Sequence, residues 1–75
     1  MATRPGSIDE LTPREMDVLR LMGQGLPNRQ IAARLDINER TVKFHVSAIL
    51  AKLEAHNRTE ATMRAIERGL ITLES

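Results

Sequence analysis

The stretch Asn38–Leu53, Asn-Glu-Arg-Thr-Val-Lys-Phe-His-Val-Ser-Ala-Ile-Leu-Ala-Lys-Leu, constrains this chain more than any other. At about 100° per residue, Val42, Val46, Ile49, Leu50 and Leu53 fall on one side of a helix. A stripe of that width buries against a core. The opposite side collects Arg40, Lys43, Phe44, Ser47 and Ala51, so the single aromatic residue of the chain falls on the polar face. An apolar ring left in water is costly unless a partner covers it. Asn38 is a strong N-cap residue, able to accept from the amides two or three residues on. Ile37 and Val42 form a hydrophobic staple around it. Two readings stay open from this stretch alone: a recognition helix whose N-terminal turns enter a major groove, or an ordinary amphipathic helix with a solvated face.

The flanking segments supply partners for the stripe. Thr12 opens a first helix, Pro13 sits at its first position, and Glu15 completes a Thr-x-x-Glu capping box stapled by Leu11 and Met16. Val18, Leu19 and Met22 give its buried face, and Gly23 and Gly25 end it. Glu15 also leans towards that face, so a pair with a base inside the fold competes with the favoured cap role. A second, short helix runs from about Pro27 or Asn28 to Leu35, with Ile31, Ala32 and Leu35 inward. Asp36-Ile37-Asn38 is a three-residue break, and two helices joined by so short a turn form a helix-turn-helix. A last helix runs from Arg58 to about Arg68, capped by an Asn57-x-x-Glu60 box and stopped by Gly69. Ala61 and Ala65 make one of its apolar sides; Thr59, Met63, Ile66 and Leu70 make the other. That second side either meets another subunit or folds over the core edge. Leu70-Ile71-Thr72-Leu73 is expected to pack back as an irregular segment. The fold class is therefore all-α, with four helices.

Composition limits the function classes. A chain of 75 residues is one domain. Residues 1–10, with a Pro-Gly turn signal and no periodicity, are expected to be a flexible tail or linker, and residues 11–75 the folded domain. Without cysteine there is no disulfide and no thiolate metal site. His45 and His56 lack carboxylates at ligand spacing, so no metal and no cofactor are expected. No apolar run approaches a membrane span and no signal peptide is visible, which points to a soluble, cytoplasmic protein without a membrane partner. There is no glycine-rich phosphate loop, nucleophile elbow or convincing carboxylate pair, so an enzyme is not expected. Net charge is only +1, but it is unevenly spread. Residues 27–58 carry Arg29, Arg34, Arg40, Lys43, Lys52 and Arg58 against Asp36, Glu39 and Glu54, while the segments on either side are slightly acidic. A polyanion would be drawn to the middle of the chain.

Taken in order, the motifs are Leu11-Thr12-Pro13-Arg14-Glu15, Gly25-Leu26-Pro27-Asn28-Arg29-Gln30-Ile31-Ala32, Leu35-x-Ile37, Thr41-Val42-Lys43-x-His45, Ile49-x-x-Lys52-Leu53, Asn57-Arg58-x-x-Ala61 and Gly69-Leu70-Ile71. This series resembles the LuxR-type (FixJ/NarL-type) helix-turn-helix domain of bacterial transcription regulators, over about Leu11 to Ile71. The resemblance implies a four-helix domain that binds double-stranded DNA, with the third helix as recognition helix and a homodimer formed on DNA through the fourth. It implies base reading by Lys43 and Phe44, with Ser47 on the same face. It places Asn28, Arg29, Thr41, His45 and Arg58 where members meet the DNA backbone or brace the motif. Arg40 and Lys52 are further candidates for phosphate contact, and Thr59, Met63 and Ile66 for the dimer face. It also implies a regulatory receiver or ligand-binding domain in a longer parent protein, although some members stand alone. The chain departs from the pattern in four places. Ser47 stands where some members carry a long basic reader, Pro27 where a Ser or Thr cap is common, Gln30 for a frequent Glu, and Thr59 where many members are more apolar. The competing function is a helical protein-interaction module with Phe44 as exposed anchor.

Overall fold

The computed structural model describes residues 11–72, so the expectations for residues 1–10 and for Leu73 lie outside the described residues. Four helices follow in order: α1 (Pro13–Gly23), α2 (Asn28–Leu35), α3 (Glu39–Leu53) and α4 (Arg58–Glu67). No strand occurs among the described residues. The α1 capping box forms in both directions. The Thr12 hydroxyl accepts from the Glu15 amide at 3.1 Å, and the Thr12 amide donates to Glu15 Oε1 at 3.0 Å. Asn38 caps α3 as its side chain suggests, accepting from the Thr41 amide at 2.8 Å and the Thr41 hydroxyl at 3.0 Å. Pro27 precedes α2 and offers no side-chain acceptor.

The box expected on α4 closes differently. Asn57 accepts from the Glu60 amide at 2.9 Å, but the Glu60 carboxylate reaches one residue further back. It takes the His56 amide at 2.6 Å and the His56 ring Nδ1 at 2.9 Å. These contacts, the His56 amide foremost, hold the Glu60 carboxyl below its ordinary range. The sequence pattern missed this because a box is defined by the residue opposite the cap, and here a histidine next to it offers two donors.

All four helices stop in one way. A left-handed residue (Gly25, Asp36, Glu54 or Gly69) turns the chain, and the next amide reaches back to the last turn. The bonds are Leu26 to Leu21, Ile37 to Ala32, Ala55 to Leu50 and Leu70 to Ala65, between 2.8 and 3.2 Å. This is the Schellman closure, which satisfies carbonyls that the helix end leaves open. The glycines signal it in sequence; Asp36 and Glu54 do not, since side chains at φ of 59° and 58° are uncommon.

Helix α3 is the hub, packing against each of the other three helices, whereas α2 and α4 do not pack on each other. Val42, Val46, Ile49 and Leu53 are buried in the core with Val18, Leu19 and Met22 of α1, Ile31 and Ala32 of α2, and Ala61 and Ala65 of α4. Leu35 and Leu50 are half-buried against that core. The C-terminal segment packs back through Ile71. Gly23 permits this, because a Cβ there would come within 2.9 Å of the Ile71 side chain. On α4, Met63 is 53% exposed and Thr59 is open to solvent. Ile66 and Leu70 lie against the core edge. The second apolar side of α4 is thus divided, half covered and half free.

Candidate nucleic-acid interface

The stripe that buries one side of α3 leaves the other side open. Arg40, Lys43, Phe44, Ser47 and Ala51 are all exposed, with Phe44 at 74%. Holding a ring that far into water with no core role leaves an apolar surface among cations. The nearest aromatic neighbour is His45, whose ring meets Phe44 edge-on at 6.4 Å between centroids. His45 and Thr41 are half-buried on the flanks of the helix, and the Thr41 hydroxyl is already donated to Asn38.

Charges divide by element. On α1, Arg14 and Arg20 both pair with Asp17, at 3.6 and 3.3 Å. On α4, Arg64 lies 3.6 Å from Glu60. Arg29 and Arg34 of α2 and Arg40 and Lys43 of α3 are exposed and form no ion pair among the described residues. The basic surplus read from sequence therefore persists, among the described residues, as exposed cations of the helix-turn-helix without ion pairs. Arg34 is a further exposed cation of α2, although its spacing singled it out for no role.

Two of the cations expected to meet the DNA backbone are engaged inside the molecule. Lys52 donates to Glu15 Oε1 at 2.8 Å, with side chains only 27% and 8% exposed. Glu15 thereby serves the Thr12 cap and the internal pair at once, where sequence had set the two roles in competition. Burial alone would raise the Glu15 carboxyl. The hydrogen bonds from Lys52 and the Thr12 amide, with the charges of Lys52 and His45, outweigh burial and hold it below its ordinary value. His45 and Lys52 are two turns apart and share the flank of α3 that faces α1, away from Lys43. The second engaged residue is Arg58. It donates through Nη1 to Asn28 Oδ1 and through Nη2 to the Leu26 carbonyl at 2.8 Å, tying the start of α4 to the start of α2. Arg58, Asn28, Glu39 and Thr59 line one open cleft with Met22, Leu26 and Pro27. No group of metal-ligating residues occurs among the described residues, and no helix there is long and apolar enough to cross a membrane.

Comparison with known proteins agrees with this geometry. The family model for bacterial regulatory proteins, luxR family, matches residues 9–65. The nitrate/nitrite response regulator protein NarL of Escherichia coli (strain K12) is 52% identical over 62 residues, which are 83% of this chain and 29% of that protein. The response regulator protein VraR of Staphylococcus aureus (strain Mu3) is 44% identical over 71 residues, 95% of this chain and 34% of that one. The structure of the transcription factor GerE superposes with a TM-score of 0.80 at 30% identity, covering 85% of this chain and 96% of GerE. The response regulator ChrA of a heme-sensing two-component system gives a TM-score of 0.81 at 43% identity, over 93% of this chain and 33% of ChrA. The chain thus spans about a third of the length of the curated relatives it matches. Their shared region is the four-helix unit described above, and this chain belongs to the luxR family of bacterial regulatory proteins as a NarL-type helix-turn-helix DNA-binding domain.

Proposed function

We propose that this domain binds double-stranded DNA sequence-specifically in a bacterial transcription regulator, as a homodimer formed through α4. The observation that carries the reading is the open face of α3, where Lys43 and an exposed Phe44 stand with Arg40, and neither cation forms an ion pair among the described residues. Lys43 donates to guanine O6 or N7, Phe44 lies on a thymine methyl, and Ser47 adds a short hydroxyl contact. Arg29 and Arg40 meet phosphates, with Thr41 and His45 on the flanks. The first amides of α2, which Pro27 leaves without a side-chain acceptor, add donors with the favourable sense of the helix dipole. Thr59 and Met63, with the edge of Ile66, form the contact to the second subunit. In a longer parent protein, a receiver or ligand-binding domain would control that pairing, as the response-regulator relatives suggest.

Site selection from a random duplex pool, followed by titration against salt, tests this reading. A two-fold repeated site is expected. With Arg29 and Arg40 on phosphates in each subunit, the log–log salt slope should be about −4, from roughly −0.9 per neutralised phosphate. Counting Lys52 and Arg58 as well would give about −7. No salt-sensitive binding to any duplex, with capture of a protein through Phe44 instead, would establish the interaction-module alternative.

A further inference from the structure

Arg58 opens α4, and its guanidinium is directed inward to the start of α2. It can only donate hydrogen bonds. The Asn28 atom that meets it must therefore be the carbonyl oxygen, whichever way the amide is drawn. The second arm of the guanidinium holds the Leu26 carbonyl at 2.8 Å, so the fork is fixed at two points. Since α2 and α4 make no direct packing contact, this fork is the hydrogen-bonded link between their starts. With Oδ1 turned to Arg58, the NH2 head of Asn28 is the one left for another partner. Among the described residues nothing accepts from it, and Glu39 on the same cleft makes no hydrogen bond to it.

A phosphate oxygen is an acceptor only, and so needs the NH2 head. A flipped amide would set lone pairs against the phosphate. We propose that Arg58 is a positioning residue: it orients the Asn28 carboxamide so that Nδ2 donates to a DNA phosphate, and does not itself neutralise one. The inference rests on the DNA-binding reading above and deepens it.

Binding of the full 75-residue chain to a selected and a scrambled duplex across a salt series tests the assignment. Asn28→Asp keeps the oxygen that Arg58 needs and adds a favourable charge in the first turn of α2. It should melt no lower than the parent, yet bind both duplexes roughly tenfold or more weakly, from loss of a hydrogen bond to a charged group. Arg58→Gln should shift the salt line downward in parallel, because a neutral amide contact releases no counterion. Arg58→Lys should bind as weakly as Arg58→Gln, since an ammonium cannot span both acceptors. Parent-like binding by Asn28→Asp would overturn the proposal. So would rescue by Arg58→Lys together with a slope made shallower by about 0.9 per subunit in Arg58→Gln, which would make Arg58 itself the phosphate ligand. If the parent chain binds no duplex, the DNA reading fails instead, and the two failures are distinguishable.

Discussion

Lys43 and Lys52 belong to one helix and carry one charge, and they differ in what the fold places around them. Lys43 is exposed on the open side of α3 with no ion pair among the described residues. Lys52 lies on the flank towards α1, two-thirds or more covered, with Glu15 at 2.8 Å. The N-terminal half of α3 is thus an outward-facing surface, and the C-terminal half is an anchor that fixes how that surface is presented. A count of charges along the chain cannot separate these functions. Helix phase can, because the open side holds Arg40, Lys43, Phe44 and Ser47 but not Lys52.

The largest expected effect breaks the anchor. Glu15→Gln removes the charge that Lys52 faces in a partly buried site, and should cost about 2–3 kcal/mol of stability at neutral pH. The sign with pH follows from the lowered Glu15 carboxyl. Its contribution is complete above the ordinary value of 4.5 and is lost as pH falls below that value through the folded one. Denaturation of the parent chain should therefore show an acid loss that Glu15→Gln lacks. Parallel acid profiles for the two would detach the ion pair from the stability of the fold.

A smaller effect concerns the divided face of α4. Met63→Asp places a charge on a side chain that is already 53% exposed, so melting should change little. Binding to a two-site operator should weaken by about 1–2 kcal/mol, and binding to a half-site much less. A collapse in thermal stability would instead place Met63 in the core. The smallest effect sharpens the anchor end itself. Glu54 holds φ of 58° and puts a negative charge at the C-terminus of α3, both unfavourable. Glu54→Gly should stabilise by about 1 kcal/mol in thermal unfolding, with DNA affinity unchanged.

What was legible in sequence followed from local rules. The helix phase of Val42, Val46, Ile49 and Leu53, the caps at Thr12 and Asn38, and the glycine stops each act within a few residues. They place four helices with ends close to those observed. The exposure of the candidate site residues was legible where it follows from helix phase alone, as at Lys43 and Phe44. It was not legible where a side chain crosses between elements distant in sequence. Lys52 meeting Glu15, and Arg58 meeting Asn28 and Leu26, depend on how α1, α3 and α4 come together, which no local spacing encodes. The exchange at His56 and Glu60 was missed for another reason, a competing donor beside the expected one.

The most direct test of the account compares Lys43→Ala and Lys52→Ala by thermal unfolding and by affinity for a selected and a scrambled duplex. Lys43→Ala should leave stability within about 0.5 kcal/mol. It should lose about 1–3 kcal/mol on the selected site and much less on the scrambled one. Lys52→Ala should do the reverse, losing about 2 kcal/mol of stability while the folded fraction keeps its affinity and its salt slope. Equal losses of affinity on both duplexes for both variants, with stability untouched, would show two interchangeable phosphate contacts and contradict the division of α3 into a reading end and an anchoring end.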